Sequence, residues 1–239
     1  MPNVVAATGH VLISEWVDGT PLSKIISDGT QEERDRAGLL FTRFLFSGPA
    51  RTGMLHADPH PGNFRMLPDG RLGVLDFGAV DRLPGGMPTF IGHVVRLVHD
   101  GADLAPAEEE LRRQGFVRDG VHLDMEALRA FLAPMAEPSR QDRFKFSREW
   151  LRSEAARVTD PRSSNLSRRL NLPPSYVLIH RVCTAGTGVL CQLEAEGPFR
   201  AEMIKWLPGY GDTDRAEPDG DPDGPSHDEH LSGAVAPSG

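Results

Sequence analysis

The stretch from Gly53 to Gly78 constrains the fold of this chain more than any other part of the sequence. Its second half contains two short runs, Phe64–Leu67 and Arg71–Leu75, on either side of Pro68-Asp69-Gly70. A Pro-Asp-Gly sequence is typical of a tight turn, and the flanking runs predict strands. We therefore expect a small β-hairpin, which brings the residues before and after it close together.

Polar residues at fixed spacing flank this predicted hairpin. Asp58 and Asn63 precede it, and Asp76-Phe77-Gly78 follows it. Phosphoryl transfer from ATP needs a carboxylate beside the accepting hydroxyl and oxygen ligands that hold Mg²⁺ against the phosphates. Asp58, Asn63 and Asp76 supply that set in the order of a kinase catalytic loop. Any one of them alone would be interpreted as a loop residue, so the order and spacing carry the prediction.

A second chemical interpretation of the same segment uses His56, Asp58 and His60. In an extended chain these side chains share one face and could bind a transition metal in a hydrolase. Pro59 and Pro61 make the path irregular, and such sites usually draw ligands from several segments. We therefore favour a role for His56 in bracing the loop through hydrogen bonds.

The rest of the chain predicts an α+β fold in which helices predominate. The run Val11–Val17 predicts a strand that ends in a turn at Asp18-Gly19. Thr30 and Glu33 form a capping box at the start of an amphipathic helix. Periodicity and helix-end signals predict further helices over residues 87–100, 104–114, 124–136, 140–158, 174–193 and 198–207.

Charge is concentrated at the carboxyl end of the sequence. The chain has 239 residues and a formal net charge of −8, and residues 212–239 contain eight acidic residues and one arginine. The remainder is close to neutral, which argues against a general nucleic-acid-binding protein because such proteins need a basic face. The segment 208–239 is poor in apolar residues and predicts a disordered acidic tail, so we expect one folded domain over residues 1–207.

Two further features suggest a cytoplasmic protein with reduced thiols. The sequence has no run of about 18 apolar residues, so we expect no transmembrane segment. Cys183 and Cys191 fall in one predicted helix, where eight residues correspond to about 12 Å of rise, beyond the reach of a disulfide. Both are predicted to be free and mostly buried.

The sequence of residues 56–63, His-Ala-Asp-Pro-His-Pro-Gly-Asn, followed by Leu-Asp-Phe-Gly at 75–78, resembles the catalytic segment of the UbiB/AarF atypical kinases. The segment VLISEWVDGTPLS at 11–23 resembles the hinge strand of that family. The resemblance extends more loosely to about Leu207. It implies a protein-kinase-like fold, of which this chain would form the C-terminal lobe, with a hinge strand, a catalytic-loop hairpin and a helical remainder.

The resemblance also implies roles for individual residues. Asp58, with His56, would belong to the catalytic loop, and Asn63 and Asp76 would bind Mg²⁺. The nucleotide would contact the hinge segment, which consists of Ser14, Glu15, Trp16, Val17 and Asp18. There the side chain of Ser14 would be the gatekeeper, the backbone of Glu15 and Val17 would meet adenine, and Asp18 could meet a ribose hydroxyl. Without the downstream motif, the segment 14–17 would be interpreted as an ordinary buried strand.

The implied activity is Mg²⁺- and ATP-dependent phosphotransfer or ATP hydrolysis, connected with isoprenoid-quinone or lipid metabolism. The implied partners are ATP and a small-molecule or lipid-like substrate, with contact to a membrane surface or a quinone-synthesis assembly and none to nucleic acid. Thr89 is the only hydroxyl residue between Gly78 and Gly101, and no Ala-Pro-Glu sequence follows Asp76. Both facts argue against an ordinary activation loop of a protein kinase.

The sequence departs from the family at its beginning. In a kinase-like fold the phosphate-covering loop and the strand lysine precede the hinge, whereas here Lys24, Lys145 and Lys205 all follow it. We therefore expect the N-terminal lobe to be missing from this chain. The alternative function is that of a non-catalytic remnant, which binds a partner or regulates an assembly.

Overall fold

The computed structural model describes residues 2–159, 166 and 168–211. The strands in this part of the chain are β1 Val4–Ala7, β2 Leu12–Ser14, β3 Thr20–Pro21, β4 Met54–His56, β5 Phe64–Met66, β6 Leu72–Val74, β7 Val80–Arg82, β8 Phe144–Lys145 and β9 Glu196–Gly197. The helices are α1 Leu22–Asp28, α2 Gln31–Thr52, α3 Thr89–His99, α4 Ala105–Arg113, α5 Met125–Ala136, α6 Arg148–Thr159, α7 Val177–Leu193 and α8 Phe199–Trp206.

Helix α2 is the central support of the fold, and its ends follow from local sequence. The Thr30 side chain accepts a hydrogen bond from the Glu33 backbone, and the Glu33 side chain accepts one from Thr30 in return, which confirms the predicted capping box. The helix ends at Gly53, whose φ of 64° lies in the left-handed region that glycine tolerates without strain. Ala37 and Phe41 lie on the face of α2 that is buried in the core.

The predicted hairpin is present as β5 and β6, which pair antiparallel with Phe64 opposite Val74. Phe64 is completely buried, and its ring makes edge contacts with Phe41 and Phe44 of α2. The Arg36 guanidinium of α2 donates two hydrogen bonds to the Gly70 carbonyl in the turn. Helix α2 therefore holds the hairpin at both its base and its tip.

Short strands enclose the loop between β4 and β5. Strand β3 extends the hairpin into a three-stranded sheet of order β3-β5-β6, while β4 pairs with β7 in a separate two-stranded sheet. His56 lies opposite Val80 in the β4–β7 pair. Because β4 leads into the loop and β7 follows the hairpin, both ends of the motif are fixed by backbone hydrogen bonds.

Two hydrophobic clusters stabilise the described part of the chain. One gathers side chains of α3, α4, α5, α7 and α8, including Val94, Ala107, Leu128, Val182 and Met203. The other joins α1, α2, the β5–β6 hairpin, α7 and α8, including Leu22, Phe41, Phe64, Val189 and Phe199. Helices α7 and α8 contribute to both clusters, so they connect the helical region to the hairpin.

The structure corrects the sequence predictions in several places. Helix α1 was not predicted, because it begins after Pro21 without a capping side chain. The helix predicted over 140–158 begins only at Arg148. The preceding Phe144 and Phe146 are buried, and Phe144 in β8 pairs with Gly197 in β9. The predicted strand 11–17 is reduced to β2, which pairs with β1 and is exposed.

The predicted boundary of the folded domain at residue 207 is too early. Residues 208–211 pack on α3, where a Cβ on Gly92 would lie 2.0 Å from the Pro208 carbonyl oxygen. Tyr210 is buried, and its ring meets His99. The remainder of the predicted acidic tail, residues 212–239, lies outside the described residues.

Both cysteines are free, as predicted, but only Cys191 is buried. Cys183 is exposed, so the prediction of burial was wrong for that residue. It lies on the outward face of α7, whereas Val182 and Gly186 face the interior. Among the described residues, no helix combines the length and the apolar character needed to cross a membrane.

Candidate functional site

The side chains of Asp58 and Asn63 are joined across the loop between β4 and β5. The Asn63 amide nitrogen donates one hydrogen bond of 3.1 Å to the Asp58 carbonyl and another of 2.9 Å to Asp58 Oδ2. A 3₁₀ turn over Pro61–Asn63 sets the position of Asn63, and its backbone N–H donates to the His60 carbonyl. Because both of these bonds use the amide nitrogen, the Asn63 Oδ1 atom can still accept a hydrogen bond or bind a cation.

Asp76 lies beside Asn63 because the hairpin closes between them. The Leu75 N–H donates to the Asn63 carbonyl at 2.9 Å, one residue beyond the paired strands. The Asp76 Oδ1 atom accepts a 2.7 Å hydrogen bond from the Gly78 backbone, and Oδ2 has no hydrogen-bond partner among the described residues. The hairpin thus places two side chains with available oxygen atoms at the same end of the sheet.

His56 lies behind this pair and does not face solvent. Its side chain is only 6% exposed, and its Nε2 atom lies 2.7 Å from the Asp76 carbonyl oxygen. A carbonyl oxygen only accepts hydrogen bonds, so Nε2 carries the proton in this contact. Rings of Phe44, Phe64 and Phe77 surround the imidazole, with centroids 5.5 to 5.8 Å away. His56 therefore positions Asp76 and is not placed to touch a reactant.

The alternative metal site of His56, Asp58 and His60 does not form. His56 is directed at Asp76, while His60 Nδ1 accepts a 3.1 Å hydrogen bond from the Gly62 backbone. Within residues 2–159, 166 and 168–211, no group of three or more His, Cys, Asp or Glu side chains could hold a metal ion. Asn63 and Asp76 lie at the same end of the sheet and are the residues that would hold Mg²⁺, because that ion commonly takes one or two protein ligands together with phosphates and water.

The predicted hinge segment forms one wall of a shallow pocket. Residues 14–17 line it together with Pro2, Arg65 and Leu75, and its volume is about 210 Å³. Typical pockets for small molecules have volumes of about 300–1,000 Å³. The pocket adjoins the candidate metal site because Leu75 directly precedes Asp76.

The backbone of the hinge segment is only partly available to a ligand. The Glu15 N–H already donates to the Asn3 carbonyl at 2.9 Å, and the Glu15 side chain accepts a bond from the Asn3 side chain. The Glu15 carbonyl and the Val17 N–H have no partner within the described part of the chain. Trp16 is 79% exposed and donates to Asp18 Oδ1 at 3.1 Å, so the Asp18 carboxylate is partly engaged.

Sequence reasoning missed Arg65 as part of this pocket. Its guanidinium lies over the Trp16 ring at 5.3 Å from the centroid and donates to the Gly19 carbonyl at 3.2 Å. Alternation along β5 was the available signal: Phe64 is buried on one face, so Arg65 must project from the other. Arg65 thus adds a positive charge to the wall that the hinge segment forms.

Comparison with known proteins agrees with the resemblance noted in the sequence. Residues 1–98 match the model of the ABC1 atypical kinase-like domain. The matched range includes the predicted hinge segment, the loop between β4 and β5, the hairpin and Asp76. The arrangement of helices and strands is accordingly that of a kinase-like domain.

Individual relatives support the same assignment over parts of the chain. The chain is 38% identical over 97 residues to Protein ACTIVITY OF BC1 COMPLEX KINASE 3, chloroplastic, of Arabidopsis thaliana, covering 37% of this chain and 13% of that protein. It is 42% identical over 80 residues to the uncharacterized protein slr0889 of Synechocystis, covering 30% of this chain and 19% of the relative. The chain therefore matches less than a fifth of the length of these two relatives.

A solved structure resembles most of this chain. Rv3197 of Mycobacterium tuberculosis, determined in complex with erythromycin, superposes with a TM-score of 0.80 at 34% sequence identity. The similarity covers 88% of this chain and 53% of that one. It therefore extends well beyond residue 98, into the helical region.

Proposed function

We propose that this chain forms the C-terminal lobe of an ATP-dependent phosphotransferase or ATPase of the ABC1 type. One observation carries the proposal: the Asn63 amide nitrogen donates two hydrogen bonds to Asp58, which leaves Asn63 Oδ1 as an acceptor at the end of the hairpin where Asp76 follows β6. This arrangement supports the assignment of Asp58 as the catalytic carboxylate and of Asn63 and Asp76 as metal ligands, the set that phosphoryl transfer requires.

Each residue has a distinct task in this proposal. Asp58 orients the attacking hydroxyl or water and accepts its proton, and the Asn63 amide holds the carboxylate in place. Asn63 Oδ1 and the free oxygen of Asp76 would hold Mg²⁺, which when bound neutralises the charge on the phosphates. His56 holds the backbone of Asp76 in position through its hydrogen bond to the Asp76 carbonyl.

The pocket lined by residues 14–17 supports a further part of the proposal, in which adenine contacts the Glu15 carbonyl and the Val17 N–H. The pocket has a volume of only about 210 Å³ and Trp16 is largely exposed, so the described residues cover a nucleotide on one side. We therefore expect weak nucleotide binding by this chain alone, with a dissociation constant of about 100 μM or more, at the weak end of the range of common KM values. The link to isoprenoid-quinone or lipid chemistry rests on family resemblance.

The metal assignment can be tested with Mn²⁺ as a paramagnetic probe in the presence of ADP. Bound Mn²⁺ should broaden the amide resonances of Asn63 and Gly78 in the intact chain. Asp76→Asn should remove this broadening, because a neutral amide replaces the only charged ligand. Asp69→Asn is the matched control: it changes a hairpin-turn carboxylate that pairs with Arg71, and the broadening should persist.

Asp58→Asn separates binding from chemistry. This variant should keep the broadening by Mn²⁺ but lower ATP hydrolysis, by about a hundredfold if Asp58 acts as the general base. Equal broadening in the wild type and in Asp76→Asn would reject the metal site. Absence of broadening in all variants, with no hydrolysis, would favour a non-catalytic binding module.

A further inference from the structure

Arg65 lies in the wall of the pocket beside the predicted hinge segment, and it is the one cationic side chain among the described residues that line this pocket. On β5 it follows the buried Phe64, and two residues, about 7 Å of extended chain, separate it from Asn63. Leu75, which directly precedes Asp76, lines the same pocket. A nucleotide whose phosphates reach Asn63 and Asp76 therefore passes close to the Arg65 side chain.

The hinge segment packs beside Arg65 because the residue opposite it in the hairpin is a glycine. Arg65 pairs with Gly73 of β6, and residues paired in this way project from the same face of the sheet. A Cβ on Gly73 would lie 3.4 Å from Val17 Cγ1 and 2.9 Å from Leu67 Cδ2. Val17 thus occupies the space that a side chain at Gly73 would take. The Val17 backbone, a proposed contact of the base, is therefore a neighbour of Arg65.

The guanidinium of Arg65 is held in place by two contacts. Its Cζ atom lies 5.3 Å from the centroid of the Trp16 ring, and Nη1 donates to the Gly19 carbonyl at 3.2 Å. Within the described part of the chain, Arg65 forms no ion pair. The Glu15 carboxylate, which lines the same pocket, instead accepts a hydrogen bond from the Asn3 side chain. A guanidinium is planar and stacks on aromatic rings, so Trp16 and Gly19 prepare a charged platform in the pocket.

The direction of the Arg65 side chain separates this platform from the candidate metal site. Strand β3 pairs with β5 so that Thr20 lies opposite Met66 and Pro21 opposite Arg65. Gly19 precedes Thr20, and this register places it beyond Met66, on the side of Arg65 away from Asn63. Because the guanidinium donates to the Gly19 carbonyl, it is directed toward the hinge segment and not toward the metal ligands.

We propose that Arg65 determines which base the pocket accepts, by stacking its guanidinium against a purine ring. The inference rests on the proposed function, in which a nucleotide places its base beside Glu15 and Val17. Bases stack on arginine guanidinium planes, and the attraction between a cation and a ring depends on the π-face that the ring offers. A purine has two fused rings and covers the guanidinium more fully than a pyrimidine does. The ligand class is therefore a purine nucleotide.

The proposal can be tested by comparing ADP, CDP and pyrophosphate. Binding of the nucleotides without metal is followed by the amide shifts of Val17 and Gly73, and binding of pyrophosphate with Mn²⁺ by broadening at Gly78. Arg65→Met keeps a long apolar stem but removes the plane and the charge. It should weaken ADP about tenfold and CDP only about twofold, and it should leave pyrophosphate unchanged. Arg71→Met in the hairpin turn, where the arginine pairs with Asp69, is the matched control and should bind all three normally.

Two further variants examine how the platform works. Trp16→Leu should weaken ADP about threefold when Arg65 is present and should have no added effect in Arg65→Met, since the ring then has no guanidinium to hold. Arg65→Lys keeps the charge but lacks the plane, so its affinity for ADP should stay close to that of Arg65→Met. Amide spectra establish that each variant is folded.

Equal losses for ADP, CDP and pyrophosphate in Arg65→Met would overturn the proposal, because they would show that Arg65 binds phosphate. An unchanged ratio of ADP to CDP affinity, or full recovery in Arg65→Lys, would also overturn it.

Asp76→Asn distinguishes failure of this inference from failure of the metal assignment. This variant should lose the broadening by Mn²⁺ but keep the Arg65-dependent preference for ADP in the absence of metal. Broadening in the wild type without any effect of Arg65→Met on ADP would reject the role of Arg65 alone. Absence of shifts at Val17 with every nucleotide would reject the adenine contact and the role of Arg65 together, while broadening at Gly78 with pyrophosphate would still report the metal site.

Discussion

The β1–β2 and β5–β6 pairs are similarly short antiparallel sheets, yet they meet the rest of the protein in different ways. In β5–β6, Phe64 is completely buried against α2, and the turn is held by Arg36. In β1–β2 every residue is exposed, including Val5 at 66% and Leu12 at 68%. An isolated two-stranded sheet is only marginally stable in water. The end of the hairpin that bears Asn63 and Asp76 is therefore packed against α2, whereas the strands next to the predicted hinge segment have no such support.

The largest expected effect is on the rate at which the Cys191 thiol is modified. Cys191 belongs to the same hydrophobic cluster as Phe64. Burial raises the pKa of this thiol to about 12, so both access and ionisation disfavour its reaction. In a Cys183→Ser background, iodoacetamide should modify Cys191 at least about a thousandfold more slowly than in the unfolded chain, reflecting the stability of a folded domain. Modification within a few-fold of the unfolded rate would show that this cluster opens readily.

The next largest effect is expected for Phe64→Ala. Removing a fully buried aromatic ring from beneath the hairpin should lower the free energy of unfolding by about 3–5 kcal/mol. Urea denaturation measures this change, and Mn²⁺-dependent broadening at Asn63 should weaken with it. A loss of less than about 1 kcal/mol would mean that α2 does not support the hairpin as described.

A smaller effect is expected for His56→Phe, which keeps an aromatic ring but removes the donor to the Asp76 carbonyl. Loss of one hydrogen bond should weaken binding of Mn²⁺ and ADP about fivefold, equal to roughly 1 kcal/mol. His10→Phe, in the connection between β1 and β2, is the matched control and should leave binding unchanged. If the two variants bound alike, His56 would have no positioning role.

The smallest effect is expected for Leu12→Ser in β2. Because this side chain is already exposed, its replacement should change the free energy of unfolding by no more than about 0.5 kcal/mol. Urea denaturation of the same chain measures it beside Phe64→Ala. A loss of more than about 2 kcal/mol would reveal packing on β1–β2 and would remove the contrast between the two strand pairs.

Features encoded by neighbouring residues were predictable from the sequence. Thr30 and Glu33 lie three residues apart and define the start of α2, and Pro68-Asp69-Gly70 defines the turn between β5 and β6. Most of the predicted helices also agree with the structure to within a few residues. The helix predicted from residue 140 failed at its start, because strand pairing replaces helical structure there. Phe144 pairs with Gly197, and the Phe146 ring contacts Phe199, both more than 50 residues further along the chain.

By itself, the sequence determined the order and spacing of the polar residues around the hairpin, and these carry the resemblance of residues 1–98 to the ABC1 atypical kinase-like domain. Tertiary structure decided what those residues contact. His56 was predicted together with Asp58, but folding buries it among phenylalanine rings and directs it at the Asp76 carbonyl, 20 residues away. Tertiary structure also placed Arg65 over Trp16 and left β1–β2 exposed. The physical reason is the distance along the sequence between interacting residues. Helix caps and turns depend on residues a few positions apart, whereas the burial and the contacts of a side chain depend on segments that only the folded chain brings together.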